Sequence, residues 1–392
     1  MIWCSELENS YDIDLIENSF KHCCKWNPIS VDHNEINKLG YKYFDKNTET
    51  LQARNDLKNN IKTPRCIDCW KEEDAGTISW RQLMNNECLS SKKTNSIKVN
   101  IQIFSNCNQS CFYCVPTLSS GIQKYNNWID QDTGNICSFD VTNSLFNFTH
   151  IIDFIKNIDK NKKFLELGIT GGEPFINFNI FLENITEIIK VFNITSDRRI
   201  TLNISTNTNV KPNNLLLFYD EINKLKEKYK IDIVILTSIE NIEERAEYVR
   251  YGLDWDNFLE NFKIHNKHAK YHLIRMTLNP FSIVNISDFF KYFYSKFKIH
   301  KILYNYPFQK FWRINVLDNR FIKEIKLLED TTLNSSIVHD ETKFWIRDLK
   351  KDISNNIHDA DIFRKAITNM DKIKDTNWRT VFPEYIEWFD NE

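Results

Sequence analysis

The stretch IKVNIQIFSNCNQSCFYC, residues 97–114, joins an apolar run to three closely spaced cysteines. Its first eight residues are rich in β-branched side chains and predict a buried β-strand. The cysteines that follow, Cys107, Cys111 and Cys114, cannot all be paired in disulfides, but at this spacing they can bind one metal site. No fourth protein ligand is evident nearby, and a site with three protein ligands keeps one position open for chemistry.

Five further strand-like runs follow in the chain, at 164–170, 200–206, 231–239, 272–278 and 300–306. Apolar side chains recur at helical spacing between them, at 180–192, 215–229 and 286–297. Strands that alternate with helices form right-handed βαβ units around a parallel sheet. The sequence therefore predicts an α/β fold, a partial (β/α)6 TIM-like barrel whose chemistry lies at the carboxyl ends of the strands.

We expect three domains along the chain. Residues 1–95 form a cysteine-rich module with few strand-like runs, and residues 96–310 form the barrel. Residues 311–392 form a helical extension, because short amphipathic stretches replace the strand pattern there. The role expected of this extension is to cover the core.

The composition is that of a globular protein with a sizeable core, since 42% of the 392 residues are hydrophobic and 27% are charged. The net charge of −2 gives no sign of a nucleic-acid or membrane partner. The first residues lack the basic and apolar regions of a secretory signal, and the apolar runs are too short to span a bilayer. We therefore expect a cytoplasmic protein.

Ten cysteines, all between residues 4 and 137, are the unusual feature of the composition. A disulfide framework is typical of short secreted chains, so this clustering favours metal or iron–sulfur ligation. Two of the ten, Cys88 and Cys137, match no ligand pattern and are interpreted as packed thiols.

A second motif, GITGGEP at 168–174, closes the second predicted strand of the barrel. Gly171 and Gly172 allow the backbone to approach a ligand closely, and Glu173 can accept hydrogen bonds from an ammonium group. An ordinary turn between a strand and a helix is the alternative.

The C-x-x-x-C-x-x-C motif followed one strand later by Gly-Gly-Glu-Pro resembles the radical S-adenosylmethionine (SAM) superfamily. The resemblance implies that Cys107, Cys111 and Cys114 are the catalytic ligands of a [4Fe–4S] cluster whose fourth iron binds the amino and carboxylate groups of SAM. It also implies that Gly171, Gly172 and Glu173 bind the SAM amine. A zinc knuckle or a set of buried structural thiols remains the alternative for the three cysteines.

The same resemblance implies further cofactor contacts at the ends of the later strands. Ser205 and Asn207 are candidates for the ribose or carboxylate of SAM, although Thr208 stands where the family commonly has glycine. Ser238 ends the fourth strand together with Glu240, and strand-end capping is the alternative for all four of these polar residues. Two more candidates lie elsewhere: Arg250 for the SAM carboxylate, or else a surface charge, and Tyr113 for the adenine, or else a core aromatic.

The first module contains a second cysteine set with a C-x-x-C pair, Cys66 and Cys69. With Cys4 and Cys23, for which Cys24 is the substitute, the arrangement resembles the auxiliary-cluster region of SPASM and twitch proteins, here placed before the barrel. This implies a second, auxiliary [4Fe–4S] cluster suited to electron transfer. Structural zinc is the alternative, because four cysteines also suit that metal.

The function that the resemblance implies is reductive cleavage of SAM to a 5′-deoxyadenosyl radical, which takes hydrogen from a peptide side chain or a small metabolite. Such an enzyme needs an electron donor of the reductase or flavodoxin type as partner. The alternative is a non-catalytic iron–sulfur or zinc protein that serves as an electron carrier or an assembly partner.

Overall fold

The computed structural model describes residues 2–90, 95–130, 132–139, 148–193, 197–333, 335–346, 349, 353 and 360–390. Two compact units make up the chain. Unit 1 comprises residues 1–104, 142–204 and 220–233, and unit 2 comprises residues 105–141, 205–219 and 234–392.

The strands of the described residues are β1 (Ser10–Asp14), β2 (Ser19–Lys21), β3 (Ile29–Ser30), β4 (Ser96–Phe104), β5 (Asn127–Ile129), β6 (Ile136–Ser138), β7 (Phe164–Gly171), β8 (Arg199–Thr206), β9 (Lys230–Ser238), β10 (Tyr271–Thr277) and β11 (Ile302–Asn305). The helices up to the end of β8 are α1 (Ser5–Asn9), α2 (His33–Leu39), α3 (Tyr43–Lys46), α4 (Thr48–Lys58), α5 (Ile67–Asp74), α6 (Trp80–Ser90), α7 (Ser120–Gln123), α8 (Phe148–Lys156) and α9 (Phe178–Phe192). The later helices are α10 (Pro212–Lys226), α11 (Glu243–Val249), α12 (Trp255–His268), α13 (Ile286–Lys296), α14 (Ile322–Thr332), α15 (Asp340–Ile346), α16 (Ala360–Lys374), α17 (Trp378–Val381) and α18 (Ile386–Asp390).

The predicted α/β fold with the strands of a partial (β/α)6 barrel is confirmed. All six predicted strands are present as β4, β7, β8, β9, β10 and β11, and helices separate each from the next. In unit 1, β4 pairs in parallel with β7, and β7 pairs in parallel with β8. In unit 2, β9 pairs in parallel with β10, and β10 pairs in parallel with β11. The parallel pairing follows from the connections, since each one passes through at least one helix.

Unit 1 also contains a strand pattern that the sequence did not reveal. Strand β1 lies parallel to β4, and β2 and β3 continue from it in antiparallel pairs. Its sequence SYDID is short and half polar, so it gives a weak strand signal. The polar side chains are matched across the pair: Gln102 donates to a carboxylate oxygen of Asp14 at 2.9 Å, and Asn100 donates to Asp12. Tyr11 and Ile13 are buried.

The C-terminal helices belong to the hydrophobic core of unit 2. Phe363, Trp378, Tyr385 and Trp388 are almost completely buried, and the Tyr385 ring lies edge-on to Phe281 at 5.4 Å between centroids. Residues 311–392 thus contain helices whose aromatic side chains form part of this core. Within the part of the chain that the structure describes, no helix combines the length and apolar character that a membrane crossing requires.

Candidate active site

The three cysteines of the first motif lie on a loop that follows β4, and serine side chains fix the backbone of this loop. The amide of Cys107 donates to the Ser120 hydroxyl at 2.9 Å, and the Ser119 hydroxyl donates to the Gln109 carbonyl at 2.7 Å. A Cβ at Gly121 would lie 2.2 Å from that same carbonyl oxygen. The start of α7 therefore packs so closely against the cysteine loop that only glycine fits at residue 121.

The segment after α11 supports the loop from a second direction. The amide of Ser110 donates to the Tyr251 carbonyl at 2.9 Å, and the amide of Phe112 donates to the Val249 carbonyl at 3.2 Å. Gly252 has a φ of +96°, and a Cβ there would lie 2.8 Å from the carbonyl oxygen of Asn108. The loop is thus held by backbone hydrogen bonds and by close packing, which suits a site that must keep three thiols in place.

The three thiols interact with one another and with nitrogen donors. Burial raises the pKa of Cys111 and Cys114, and the charges of Cys111 and Cys107 raise that of Cys114 further. The Asn207 amide lies 3.7 Å from the Cys107 sulfur, and an Arg250 nitrogen lies 3.8 Å from the Cys111 sulfur. A bound cation would offset both the free-energy cost of burying thiolates and their mutual repulsion. This thiol set therefore fits a metal cluster.

Arg250 lies inside the protein and not on its surface. It is 4% exposed, and its guanidinium donates to a Glu240 carboxylate oxygen at 2.7 Å and 3.2 Å. Burial lowers the pKa of Arg250, but the charges of Glu240, Tyr113 and Cys111 outweigh it and raise the pKa overall. Tyr113 donates its hydroxyl to Glu240 at 2.9 Å, and the guanidinium lies 5.7 Å from its ring centre. The charge of Arg250 is therefore already compensated by Glu240.

The turn after β8 is built from buried polar residues. Asn207 donates to the Asn108 side-chain oxygen at 2.8 Å, and Asn209 donates to the Gly252 carbonyl at 2.8 Å. Thr208 has a φ of +63°, a conformation that is unusual for a β-branched residue and that favours glycine. Thr208 thus adopts a left-handed backbone conformation that glycine would adopt without strain.

Ser205 and Ser238 lie near the carboxyl ends of β8 and β9. Arg275 on β10 is the register partner of Ser238, and one of its guanidinium nitrogens lies 3.5 Å from the Ser205 hydroxyl oxygen. The structure thus brings both predicted serines to Arg275, which the sequence did not single out.

The Gly-Gly-Glu-Pro motif lies in unit 1, at the end of β7. Gly171 has a φ of +126°, and a Cβ there would lie 2.5 Å from the carbonyl oxygen of Phe104, so no other residue fits without strain. The amide of Gly172 donates to that same carbonyl. Glu173 is fully buried, and its carboxylate accepts from the amide of Phe175 at 3.2 Å.

Lys374, at the end of α16, is a second residue that sequence reasoning missed. It is 3% exposed and donates to the Ser110 carbonyl inside the cysteine loop. Its ammonium lies 4.0 Å from the ring centre of Phe112 and 5.2 Å from that of Trp128. Burial lowers the pKa of Lys374 well below its usual range, and the neighbouring thiols oppose this effect. Its sequence context, MDKIKD, is that of an ordinary solvated helix end.

The second cysteine set lines one small cavity in unit 1. Cys4, Cys23, Cys66 and Cys69 are all buried and all border it, with two tryptophans, Lys25, Arg65 and Arg81 among the other lining residues. Burial raises the pKa of Cys4 to about 11 and that of Cys66 to about 12. Cys24 is exposed and is not part of the lining.

The remaining thiols are separate from both sets. Cys88 is buried and Cys137 is partly buried, and all ten cysteines are free of disulfides. Over the described ranges, no three or more histidine, cysteine, aspartate or glutamate side chains are arranged to hold a metal ion.

No protein-family model matches the chain, and no curated protein matches it significantly. Among solved structures, native anSMEcpe with bound AdoMet is similar over 66% of this chain, with 15% sequence identity and a TM-score of 0.43. This chain spans 63% of the length of that protein. A structure of TYW1 with a lysine-pyruvate adduct bound is similar over 64% of this chain and 78% of its own length, at 16% identity and a TM-score of 0.34. HydG, a maturase of the [FeFe]-hydrogenase, is similar over 62% of this chain and 51% of its own length, at 12% identity and a TM-score of 0.33.

Proposed function

We propose that this protein is a radical SAM enzyme that binds a catalytic [4Fe–4S] cluster through Cys107, Cys111 and Cys114. The observation that carries the proposal is the surroundings of these thiols. They are partly or fully buried at the end of the first barrel strand, and they interact electrostatically with one another. Each of two sulfurs has a nitrogen donor beside it, from Asn207 and Arg250. Hydrogen bonds to sulfur and a dry environment are the means by which proteins tune iron–sulfur clusters.

A [4Fe–4S] cluster held by Cys107, Cys111 and Cys114 would supply the single electron for reductive cleavage of SAM to methionine and a 5′-deoxyadenosyl radical, which would take a hydrogen atom from the substrate. The electron comes from outside the protein, from a reductase or flavodoxin-type donor or from dithionite. The task of the chain itself is to bind, orient and keep water away.

We assign a separate part of this task to each of several residues. Glu173 is a buried carboxylate and suits the SAM amine, next to the glycine pair whose Gly171 accepts no side chain. Asn207 and Arg250 donate toward the cluster sulfurs, and the Glu240 carboxylate compensates the charge of Arg250. The substrate class that we propose is a peptide side chain or a small metabolite.

We further propose that Cys4, Cys23, Cys66 and Cys69 hold an auxiliary [4Fe–4S] cluster. Four buried thiols that surround one small cavity suit a cluster with thiolate ligands. Four cysteines also suit structural zinc, and the metal counts described below distinguish the two.

The test of the catalytic proposal is anaerobic reconstitution with iron and sulfide, followed by incubation with dithionite and SAM. The expected products are 5′-deoxyadenosine and methionine in equal amounts, detected by chromatography and mass spectrometry. A protein that holds an intact cluster but forms no 5′-deoxyadenosine would contradict the proposal and would favour a non-catalytic electron carrier or assembly partner.

The auxiliary site has its own prediction. In Cys66→Ala, the iron content of the reconstituted protein falls from about eight to about four atoms per chain, because one of two cube-type clusters loses a ligand. Iron, sulfide and zinc are counted in parallel by colorimetry and mass spectrometry.

The matched control is Cys24→Ala, which removes an exposed thiol next to Cys23 and leaves the iron content unchanged. If Cys66→Ala keeps its iron and loses zinc instead, the site is a structural zinc site. If Cys24→Ala loses iron, the ligand set proposed here is wrong.

A further inference from the structure

Arg275 is partly buried, and it differs from the other buried or partly buried arginines among the described residues in having neither an acidic partner nor a backbone carbonyl to donate to. Arg54, Arg81 and Arg250 each pair with a carboxylate, and Arg198 donates to three backbone carbonyls. For Arg275, by contrast, the described residues offer one contact, the Ser205 hydroxyl at 3.5 Å. Burial lowers the pKa of Arg275, and no acidic group acts against this effect.

A buried charge without a counter-charge costs free energy, and folded proteins pair such charges or bind ions with them. The location of Arg275 explains why this cost is tolerated. It lies two residues before the end of β10, in register with Ser238, the last residue of β9. The carboxyl ends of strands in parallel α/β sheets are where ligands bind.

We infer that Arg275 binds the carboxylate of a ligand, assisted by the Ser205 hydroxyl. A guanidinium offers two parallel N–H donors that match the two oxygens of a carboxylate. Arg250, the other candidate for this role, already has Glu240 as its partner, so its guanidinium is less available to a ligand. The inference rests on the proposed function, in which the carboxylate is that of SAM or that of the substrate.

The experiment compares Arg275→Met and Arg275→Lys with the wild type, with Arg199→Met as control because Arg199 is exposed at the opposite end of β8. Equilibrium dialysis on the reconstituted protein measures the affinity for SAM and for decarboxylated SAM, which lacks the carboxylate. Glutarate, a simple dicarboxylate, is titrated onto SAM-saturated protein and followed by tryptophan fluorescence.

If SAM is the source of the carboxylate, Arg275→Met weakens SAM binding on the order of tenfold to a hundredfold and leaves the affinity for decarboxylated SAM unchanged. If the substrate is the source, SAM affinity stays within twofold and glutarate binding is lost. In either case Arg275→Lys keeps part of the affinity, since it retains the charge but not the paired donors.

Thermal unfolding without ligand separates ligand binding from a structural role. Arg275→Met unfolds at the wild-type temperature or above it, because it removes a partly buried charge and breaks no ion pair. A clear fall in that temperature, or SAM and glutarate affinities that both stay within twofold, would overturn the inference. If the wild type itself holds no iron and does not bind SAM, the proposed function fails. Glutarate titrated onto the protein without SAM then tests Arg275: binding that is lost in Arg275→Met supports the inference, and binding that is absent or unchanged overturns it.

Discussion

Replacing Cys111 by alanine reduces the formation of 5′-deoxyadenosine from SAM to the background of the assay. Cys107→Ala and Cys114→Ala have the same effect. The reason is that three thiolates hold the cluster and none is dispensable, whereas the loss of a peripheral contact would lower the rate only in part. The measurement is product formation under dithionite after anaerobic reconstitution, together with the iron content and the electron paramagnetic resonance signal of the reduced cluster.

Cys137→Ala is the matched control, because Cys137 is a partly buried thiol of the same unit that belongs to neither cysteine set. We expect it to keep the wild-type rate and iron content. If any variant of the three-cysteine set still forms 5′-deoxyadenosine at a tenth of the wild-type rate or more, the cluster is not held as proposed. Far-ultraviolet circular dichroism confirms that the variants compared are folded.

The barrel strands could be predicted because each one is a continuous run of β-branched and other apolar residues. FLELGIT and IDIVILTSI carry this pattern strongly, and the structure places β7 and β9 there. Strand β1 could not be found in this way, because SYDID has only five residues and contains no continuous apolar run. A short, half-polar segment takes its structure from the strands it pairs with, here β4 and β2, and the sequence does not record that pairing.

The two cysteine sets also differ in how far the sequence pattern alone could predict them. Cys107, Cys111 and Cys114 lie on one short loop, so their spacing alone brought them together. The grouping of Cys4 with the pair at 66 and 69 came from the family resemblance, and the structure places these thiols around one cavity.

Arg275 and Lys374 were missed for a different reason. Lys374 is buried and Arg275 is partly buried, and burial is a property of the fold. Within HLIRMTL a single arginine looks like an interruption of a strand, and within MDKIKD a lysine looks like one of several solvated charges. Neither the strand pattern nor the charge pattern could have distinguished them from surface residues.

We expect Lys374→Met to release iron from the catalytic cluster faster than the wild type does. The side chain of methionine has a similar length but no donor, so the Ser110 carbonyl inside the cysteine loop is left without the lysine ammonium. An unsatisfied buried carbonyl costs about 1–3 kcal/mol, and the cation–π contacts with Phe112 and Trp128 are lost as well. We expect iron to be released to a chelator on the order of tenfold faster, measured by absorbance under anaerobic conditions.

Two companion variants separate this effect from a general loss of packing. Lys372→Met removes an exposed lysine from the same helix and should release iron at the wild-type rate. Lys374→Arg retains a cation and a donor, so it should recover slow release and the wild-type resonance spectrum of the reduced cluster.

If Lys374→Met and Lys374→Arg release iron equally fast and their unfolding temperatures fall equally, Lys374 serves packing alone. If Lys374→Met releases iron at the wild-type rate, α16 has no part in holding the cysteine loop. The expected ranking, with methionine fast and arginine slow, would mean that α16 stabilises the loop through one specific donor.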